Sequence, residues 1–310
     1  MYTTVRGMLD NYLYIVDNLG YVPNGGRIYY LGRSQPPLLI PSFKLYMDTK
    51  NDLEYLRKSI IYLEQEFSFW LNKRTVQIKV NDVDYILAHY GDDSEGPRPE
   101  SYAEDVKFAS SIEDPIKKAQ FYNEVKAACE SGWDFSSRWF QRNDSSKGHR
   151  LDISTSSIIP VDLNAILYGN AVILQKFHEQ LGNSERAEYY KKLATQWLEA
   201  VTSVLWDKDV GVWLDFDTKR MERINFFHAS NLTPLWTRCF DETIEDEVVE
   251  LTLKYLEDMD ILSYPGGIPQ TLECTGEQWD FPNAWPPSQH ILFLVCIRRT
   301  IQKLNKLPKI

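Results

Sequence analysis

The chain has 310 residues, 43% of them hydrophobic, which is enough to bury a large core as one or two globular domains. Its 34 Lys and Arg residues against 44 Asp and Glu residues give a net charge of -10, so no nucleic acid is expected as a partner. No apolar run approaches the roughly 20 residues that span a bilayer, so no membrane segment is expected. The four cysteines and five histidines lack metal-ligand spacing, so neither a metal nor another cofactor is expected.

Helical periodicity dominates the chain. From Asn51 to Trp70, apolar residues recur every three or four positions, which places them on one face of a helix. The pattern returns from Val161 to Leu181, where Gly182 suits a left-handed helix end. Ser184 then suits the N-cap of the next helix, so the two helices should form an antiparallel hairpin. In chain order, the predicted helices cover residues 3–19, 51–70, 114–130, 161–181, 184–205, 243–258 and 288–305.

Strand patterns are few and short. Apolar and polar residues alternate over 76–80 and again over 83–87, on either side of Asn81-Asp82, which predicts a β-hairpin. A second hairpin is predicted within 210–216. Because no low-complexity linker or short-period repeat interrupts the helices, we expect one mainly helical domain.

Four loops rich in polar and aromatic residues are the places where a site would be built: 23–37, 92–104, 130–138 and 264–287. In the third of these, Asp134 lies between Trp133 and Phe135. Apolar neighbours raise the pKa of a carboxyl group by desolvation, as a general acid at neutral pH requires. The alternative is a helix N-cap with Arg138 at the surface, and the local sequence does not separate the two.

Cleavage of a glycosidic bond needs a second carboxylate as nucleophile or base. Spacing does not choose among the candidates Glu100, Glu130, Glu273, Glu277 and Asp280. One hypothesis is that Asp280 accepts hydrogen bonds from sugar hydroxyls while Trp279 or Trp285 stacks on a ring. The alternative is an aromatic loop packed by its prolines.

Six segments resemble the trehalase family of glycoside hydrolases, in the family's order. QWDFPNAWPP (278–287) resembles the second of the two family signatures, and ESGWDFSSRW (130–139) resembles the segment that holds the catalytic acid. The other segments, which are of the animal and insect type, are PNGGRIYYLGRSQPP (23–37), RPESY (98–102), IIPVDLN (158–164) and YPGGIPQT (264–271).

The resemblance implies an all-α fold, the (α/α)6 toroid of helical hairpins around a pocket, and hydrolysis of trehalose to two glucoses by an inverting mechanism without a metal. It implies that Asp134 donates a proton to the bond oxygen. The residues that it places at the sugar subsites are Asn24, Arg33, Ser34, Gln35, Arg98, Pro99, Glu100 and Gly132, with Trp279 and Asp280 in the same pocket.

Two parts of the family pattern are missing, namely the first signature and the later segment that carries the general-base Glu. We therefore expect one trehalase-like catalytic domain over residues 1–310, truncated at both ends and supplying an incomplete toroid. The alternative is an inactive trehalase-like protein that binds trehalose or a partner without turnover. Two N-x-[ST] sites, at Asn143 and Asn231, together with the animal-type segments, favour an extracellular or lumenal setting.

Overall fold

The structure of the protein, a computed structural model, describes residues 2–141 and 148–305. Within these residues the chain is mainly helical, as predicted, and three small antiparallel sheets lie between the helices. The helices are α1 Tyr2–Leu19, α2 Leu39–Lys50, α3 Leu53–Lys73, α4 Tyr102–Phe108, α5 Pro115–Ser131, α6 Val161–Gln180, α7 Ser184–Val204, α8 Thr233–Thr237, α9 Glu245–Asp258 and α10 Pro286–Asn305.

Helix α6 is the centre of the core. It packs against α2, α3, α7 and α8. Its buried residues lie all around its axis, as expected for a helix enclosed by others and as the positions Val161, Leu163, Ala165, Leu167 and Leu174 illustrate. The predicted antiparallel pair of α6 and α7 is confirmed, because the two helices pack along each other after a short turn.

The turn between α6 and α7 differs from the prediction in one detail. Gly182 adopts a φ of +75°, the left-handed conformation expected at a helix end. The N-cap of α7, however, is Asn183 and not Ser184, because the Asn183 side chain accepts a hydrogen bond from the backbone N–H of Arg186 at 3.2 Å. An Asn amide oxygen caps a helix as well as a Ser hydroxyl does.

Three helices, α2, α4 and α8, were not predicted. Helix α2 buries one face, but Pro41 in its first turn conceals the pattern. A proline there is harmless, because an N–H at that position would have no intrahelical acceptor. Helices α4 and α8 have seven and five residues, too few for periodicity to show.

The first predicted hairpin is confirmed: β1 Thr75–Val80 pairs with β2 Val83–Ala88. The second prediction is corrected, because residues 210–216 belong to two sheets. Strand β5 (Val212–Trp213) pairs with β4 (Trp206–Asp207). Strand β6 (Phe216–Asp217) pairs with β3 (Ile158–Ile159) and with β7 (Glu222–Arg223). The chain passes from one sheet to the other near Asp215, whose side chain accepts a hydrogen bond from the buried Arg138.

Two further expectations concern the chain's surroundings. Among the described residues, none of the helices combines the length and the apolar character needed to cross a membrane. Asn143 lies outside the described residues. Asn231 is fully buried and its amide donates to the carbonyl oxygen of Phe226 at 3.3 Å, so it is inaccessible to glycosylation in the folded chain.

Glu66 is an acidic side chain buried in the core. It lies on the buried face of α3 with 1% of its surface exposed. Burial raises its pKa to about 7, against the weaker opposing effect of Trp70. The folded chain therefore holds a proton on Glu66 in a pH range where the unfolded chain has lost it.

We predict that Glu66→Gln stabilises the chain at alkaline pH. The stability that Glu66 contributes is fully present below the ordinary pKa of 4.5 and is lost as pH rises through about 7. At pH 8 the variant should exceed the wild type in free energy of unfolding by about 3 kcal/mol, with a much smaller gain at pH 5. Urea unfolding at both pH values measures this, with the exposed Glu199→Gln as control. Equal gains at both pH values would contradict it.

Candidate active site

The site is built on the end of helix α5. The helix ends at Gly132, which adopts a φ of +76° and donates its N–H to the carbonyl oxygen of Cys129 at 3.3 Å. Any other residue at this position would have a strained backbone, because L-residues rarely adopt a positive φ, and its Cβ would lie 3.4 Å from the Trp285 ring. The glycine thus turns the chain sharply into a loop that presents Asp134.

Asp134 is half-buried between the buried side chains of Trp133 and Phe135. Burial raises its pKa above the usual range for a carboxyl group. The positive charges of Arg98 and Arg33 oppose this rise in pKa, as does a hydrogen bond with the Cys129 thiol. Desolvation is the larger effect, so the local environment favours the protonated acid.

Arg33 comes from the loop before α2 and is 1% exposed. Its Nε donates to Asn24 Oδ1 at 3.3 Å, and its two terminal nitrogens pair with Asp92 at 3.5 Å and with Glu100. The Asn24 amide group also donates to the carbonyl oxygen of Cys129 at 3.1 Å. These contacts tie the loop before α2 to the loop before α4 and to the end of α5.

Arg98 approaches from the loop before α4 and is 5% exposed. It holds Asp105 in a two-pronged contact at 2.6 and 3.0 Å, and its remaining nitrogen donates to Cys129 Sγ at 3.5 Å. Its guanidinium lies 4.9 Å from the centre of the Phe135 ring. A fork fixed in this way keeps a positive charge near Asp134 without freedom to turn away.

Glu130, in the last turn of α5, connects the loops of the site through hydrogen bonds. Its side chain is fully buried and accepts hydrogen bonds from Arg74 Nε at 2.8 Å and from the backbone N–H groups of Ser34 and Gly91, both at 2.7 Å. Ser34 itself points inward, since its hydroxyl donates to the carbonyl oxygen of Val22 at 2.6 Å. Glu130 therefore joins three loops and has no free face for a substrate.

The structure brings several of the predicted site residues together around Asp134. Gln35 and Trp285 both border Gly132: an added Cβ at Gly132 would lie 3.6 Å from Gln35 Oε1. Pro99 is exposed at the start of a short 3-10 helix beside Arg98. Trp279 is half-buried and lies 5.3 Å from Trp285, measured between ring centres.

Asp280 differs from these residues in its burial and in its hydrogen bonds. Its side chain is completely buried, and both carboxylate oxygens accept hydrogen bonds from protein groups. The other predicted candidates of this loop, Glu273 and Glu277, are half-buried, and Glu277 pairs with Arg150 at 3.1 Å. The guanidinium of Arg150 in turn lies 4.5 Å from the centre of the Phe135 ring. Arg150 is not among the site residues predicted from the sequence.

A buried arginine supports the loop from below. Arg138 is 1% exposed; it donates to Asp215 at 2.7 and 3.0 Å and to Asp162 at 2.9 Å. Its guanidinium lies 4.7 Å from the Trp133 ring centre and 4.4 Å from that of Trp139. The sequence suggested a surface arginine as one alternative, and the structure shows that this alternative is wrong.

Asp215 is the fully buried partner in this network. Burial alone would raise its pKa, but the charge and the hydrogen bonds of Arg138, together with the neighbouring His228, hold that pKa well below the usual range. Asp215 also accepts the backbone N–H of Val161 at 2.8 Å, which fixes the start of α6. The loop of Asp134 is thereby joined to the central helix of the core.

We predict that Asp215→Ala destabilises the chain by about 3 kcal/mol, because it leaves part of the Arg138 charge buried and unpaired. Urea unfolding at neutral pH measures the loss. Asp258→Ala, which removes the exposed partner of Lys254, is the control and should cost little. Equal effects of the two substitutions would show that the buried pair does not support the fold as described.

The chain is similar to known proteins of one family. The family model described as Trehalase matches residues 1–305. The trehalase of Apis mellifera is 49% identical over 294 residues, which cover 95% of this chain and 47% of that protein. The trehalase of Homo sapiens is 44% identical over 292 residues, covering 94% of this chain and 49% of that protein.

Among solved structures, neutral trehalase Nth1 from Saccharomyces cerevisiae has a TM-score of 0.74 at 20% identity and covers 94% of this chain and 57% of that one. This likeness concerns the fold, and it confirms the predicted helical toroid class. The chain spans about half the length of the curated relatives named above. With the family model matched over nearly all of its residues and relatives of this identity, the chain belongs to the trehalase family.

Proposed function

We propose that residues 1–310 form one catalytic domain that contributes the acid side of a site hydrolysing trehalose to two glucose molecules. The observation that carries the proposal is the environment of Asp134, where burial raises the pKa of a carboxyl group that two fixed guanidinium groups face. A carboxyl group with a raised pKa holds its proton to higher pH than an ordinary Asp does, and it can donate that proton to the glycosidic oxygen as the bond breaks. The names of the relatives cited above support trehalose as the substrate.

In this proposal the polar groups around Asp134 bind the sugar hydroxyls. Arg33, Arg98, Asn24 and Gln35 offer donors and acceptors from different loops, each held by buried partners or close packing. Trp285 offers an aromatic face beside Gly132, which suits stacking on a sugar ring. Fixed groups of this kind orient a substrate without paying for their own ordering.

An inverting mechanism also needs a carboxylate that activates water on the far side of the sugar. The fully buried carboxylates Glu130 and Asp280 are unsuited to this, because protein donors occupy their oxygens. Glu100 is the better in-chain candidate, since 21% of its side chain is exposed and it lies against Arg33. If the base is supplied by another segment, as the family pattern implies, Glu100 instead binds sugar hydroxyls.

We predict that Asp134→Asn lowers the rate of glucose release from trehalose by about 100-fold to 10,000-fold, the usual contribution of a general acid. Trehalose binding, followed by tryptophan fluorescence, should be largely kept because an amide has the same shape as the carboxyl group. The exposed Asp17→Asn is the control and should match the wild type. Wild-type chain that binds trehalose without releasing glucose would favour the inactive alternative; failure to bind it at all would contradict the proposal.

Cys129 gives a second test, through the pH dependence. Its thiol is one of the groups that lower the pKa of Asp134. Asp134 acts when protonated, so activity falls as pH rises through its pKa. Cys129→Ala should therefore move this fall to higher pH, and Cys129→Ser, a stronger hydrogen-bond donor, should move it to lower pH. Profiles of glucose release against pH measure both shifts, and shifts in the same direction for the two variants would contradict the assigned contact.

A further inference from the structure

The Asp280 carboxylate is surrounded by hydrogen-bond donors from two segments of the chain, residues 136–137 and 271–275. Its side chain is 0% exposed, so no face is left for solvent. Its Oδ1 accepts from the hydroxyls of Ser136 at 2.8 Å, Ser137 at 2.9 Å and Thr271 at 3.1 Å. Its Oδ2 accepts from the backbone N–H of Ser137 at 2.9 Å and from the Thr275 hydroxyl.

These donors include the residues that directly follow Asp134. Ser136 and Ser137 lie two and three positions further along the chain and bring the loop to Asp280 across a sequence separation of 144 and 143 residues. The Ser136 hydroxyl also accepts the N–H of Arg138 at 3.1 Å, so the same contact holds the buried arginine. Asp280 is thus hydrogen-bonded to both serines of the Asp134 loop.

A neighbouring backbone contact strengthens the attachment. The N–H of Trp279 donates to the carbonyl oxygen of Phe135 at 3.0 Å. Together with the Asp280 contacts, it fixes three consecutive residues of the loop, Phe135, Ser136 and Ser137. The other side of Asp134 is fixed by Gly132 at the end of α5.

We propose that Asp280 is a positioning residue, which holds the loop of Asp134 so that this acid stays half-buried and correctly aimed, and that it does not bind sugar. The catalytic consequence rests on the proposed function of Asp134. A sugar-binding carboxylate needs an oxygen that faces the substrate, whereas both oxygens of Asp280 face protein donors inside the fold. The full set of donors also explains how this carboxylate can be buried completely.

Removal of the carboxylate should release the loop. In Asp280→Asn the amide group can accept only through one oxygen, so the N–H of Ser137 and the surrounding hydroxyls lose part of their acceptor set. The loop then admits water around Asp134, and the desolvation that raises the pKa of Asp134 is reduced. The pKa of Asp134 should move down toward the ordinary range for Asp.

The experiment follows the titration of the Asp134 carboxyl group by 13C NMR in the full chain labelled at aspartate, with the signal identified from its loss in Asp134→Asn. Asp280→Asn should lower the pKa of Asp134. The matched control is Asp241→Asn, because Asp241 also accepts a backbone N–H and a hydroxyl, from Thr243 at 2.9 and 2.7 Å, but at an exposed turn. An unchanged titration in folded Asp280→Asn would overturn the proposal.

Circular dichroism shows whether each variant folds. If Asp280→Asn does not fold, the double variant Ser136→Ala with Ser137→Ala asks the same question, because it removes two hydroxyl donors and leaves the Asp280 carboxylate in place. A lowered pKa of Asp134 in this variant supports positioning, and an unchanged pKa overturns it. Both readouts are independent of trehalose.

Kinetics separate positioning from sugar binding and from failure of the proposed function. For a positioning residue, Asp280→Asn should lower kcat by about 100-fold with KM within about twofold, as misplacement of a reacting group does. A raised KM with unchanged kcat would show that Asp280 binds sugar and would overturn the inference. A wild-type chain that neither binds nor cleaves trehalose counts against the proposed function, while the NMR titration still decides whether Asp280 positions Asp134.

Discussion

The candidate site depends on the way the chain is held as it leaves helix α5. Glu130, in the last turn, is bound by Arg74 and by two backbone N–H groups, and Gly132 then reverses the chain direction. A charge-assisted network of this kind is rigid because each member has few alternative partners in the interior. The two residues that follow the turn, Trp133 and Asp134, therefore have defined positions.

Three carboxylates within reach of this turn differ in role because their surroundings differ. Glu130 is buried against an arginine and two N–H groups, Asp280 against hydroxyls and one N–H, and Asp134 against aromatic rings with solvent on one side. The first two are satisfied by protein donors and serve the structure. Asp134 alone of the three combines desolvation with access, which is the condition for a proton donor.

Much of the fold follows from the sequence, because long amphipathic helices such as α3 and α7, with 21 residues each, repeat their burial pattern along most of their length. The unusual setting of Asp134 was also visible, since Trp133 and Phe135 are its immediate neighbours. The setting of Asp280 was not visible: its partners Ser136 and Ser137 lie more than 140 residues away along the chain. The sequence around Asp280 contains aromatic and proline residues. These residues are equally compatible with a loop that stacks on sugar and with a buried loop that holds another segment in place.

Arg33 and Arg98 lie near an acid whose pKa they would be expected to lower, and their acidic partners reduce this effect. A bare guanidinium near Asp134 would stabilise the charged carboxylate and remove the proton that a general acid needs. Arg33, however, is paired with Asp92 and Glu100, and Arg98 with Asp105, so much of each positive charge is already balanced. Burial then remains the larger influence on the pKa of Asp134, and that pKa is raised. The arginines therefore keep N–H groups in fixed positions for hydrogen bonding without reversing the upward shift of the Asp134 pKa, and this is compatible with the proton donation that we propose for Asp134.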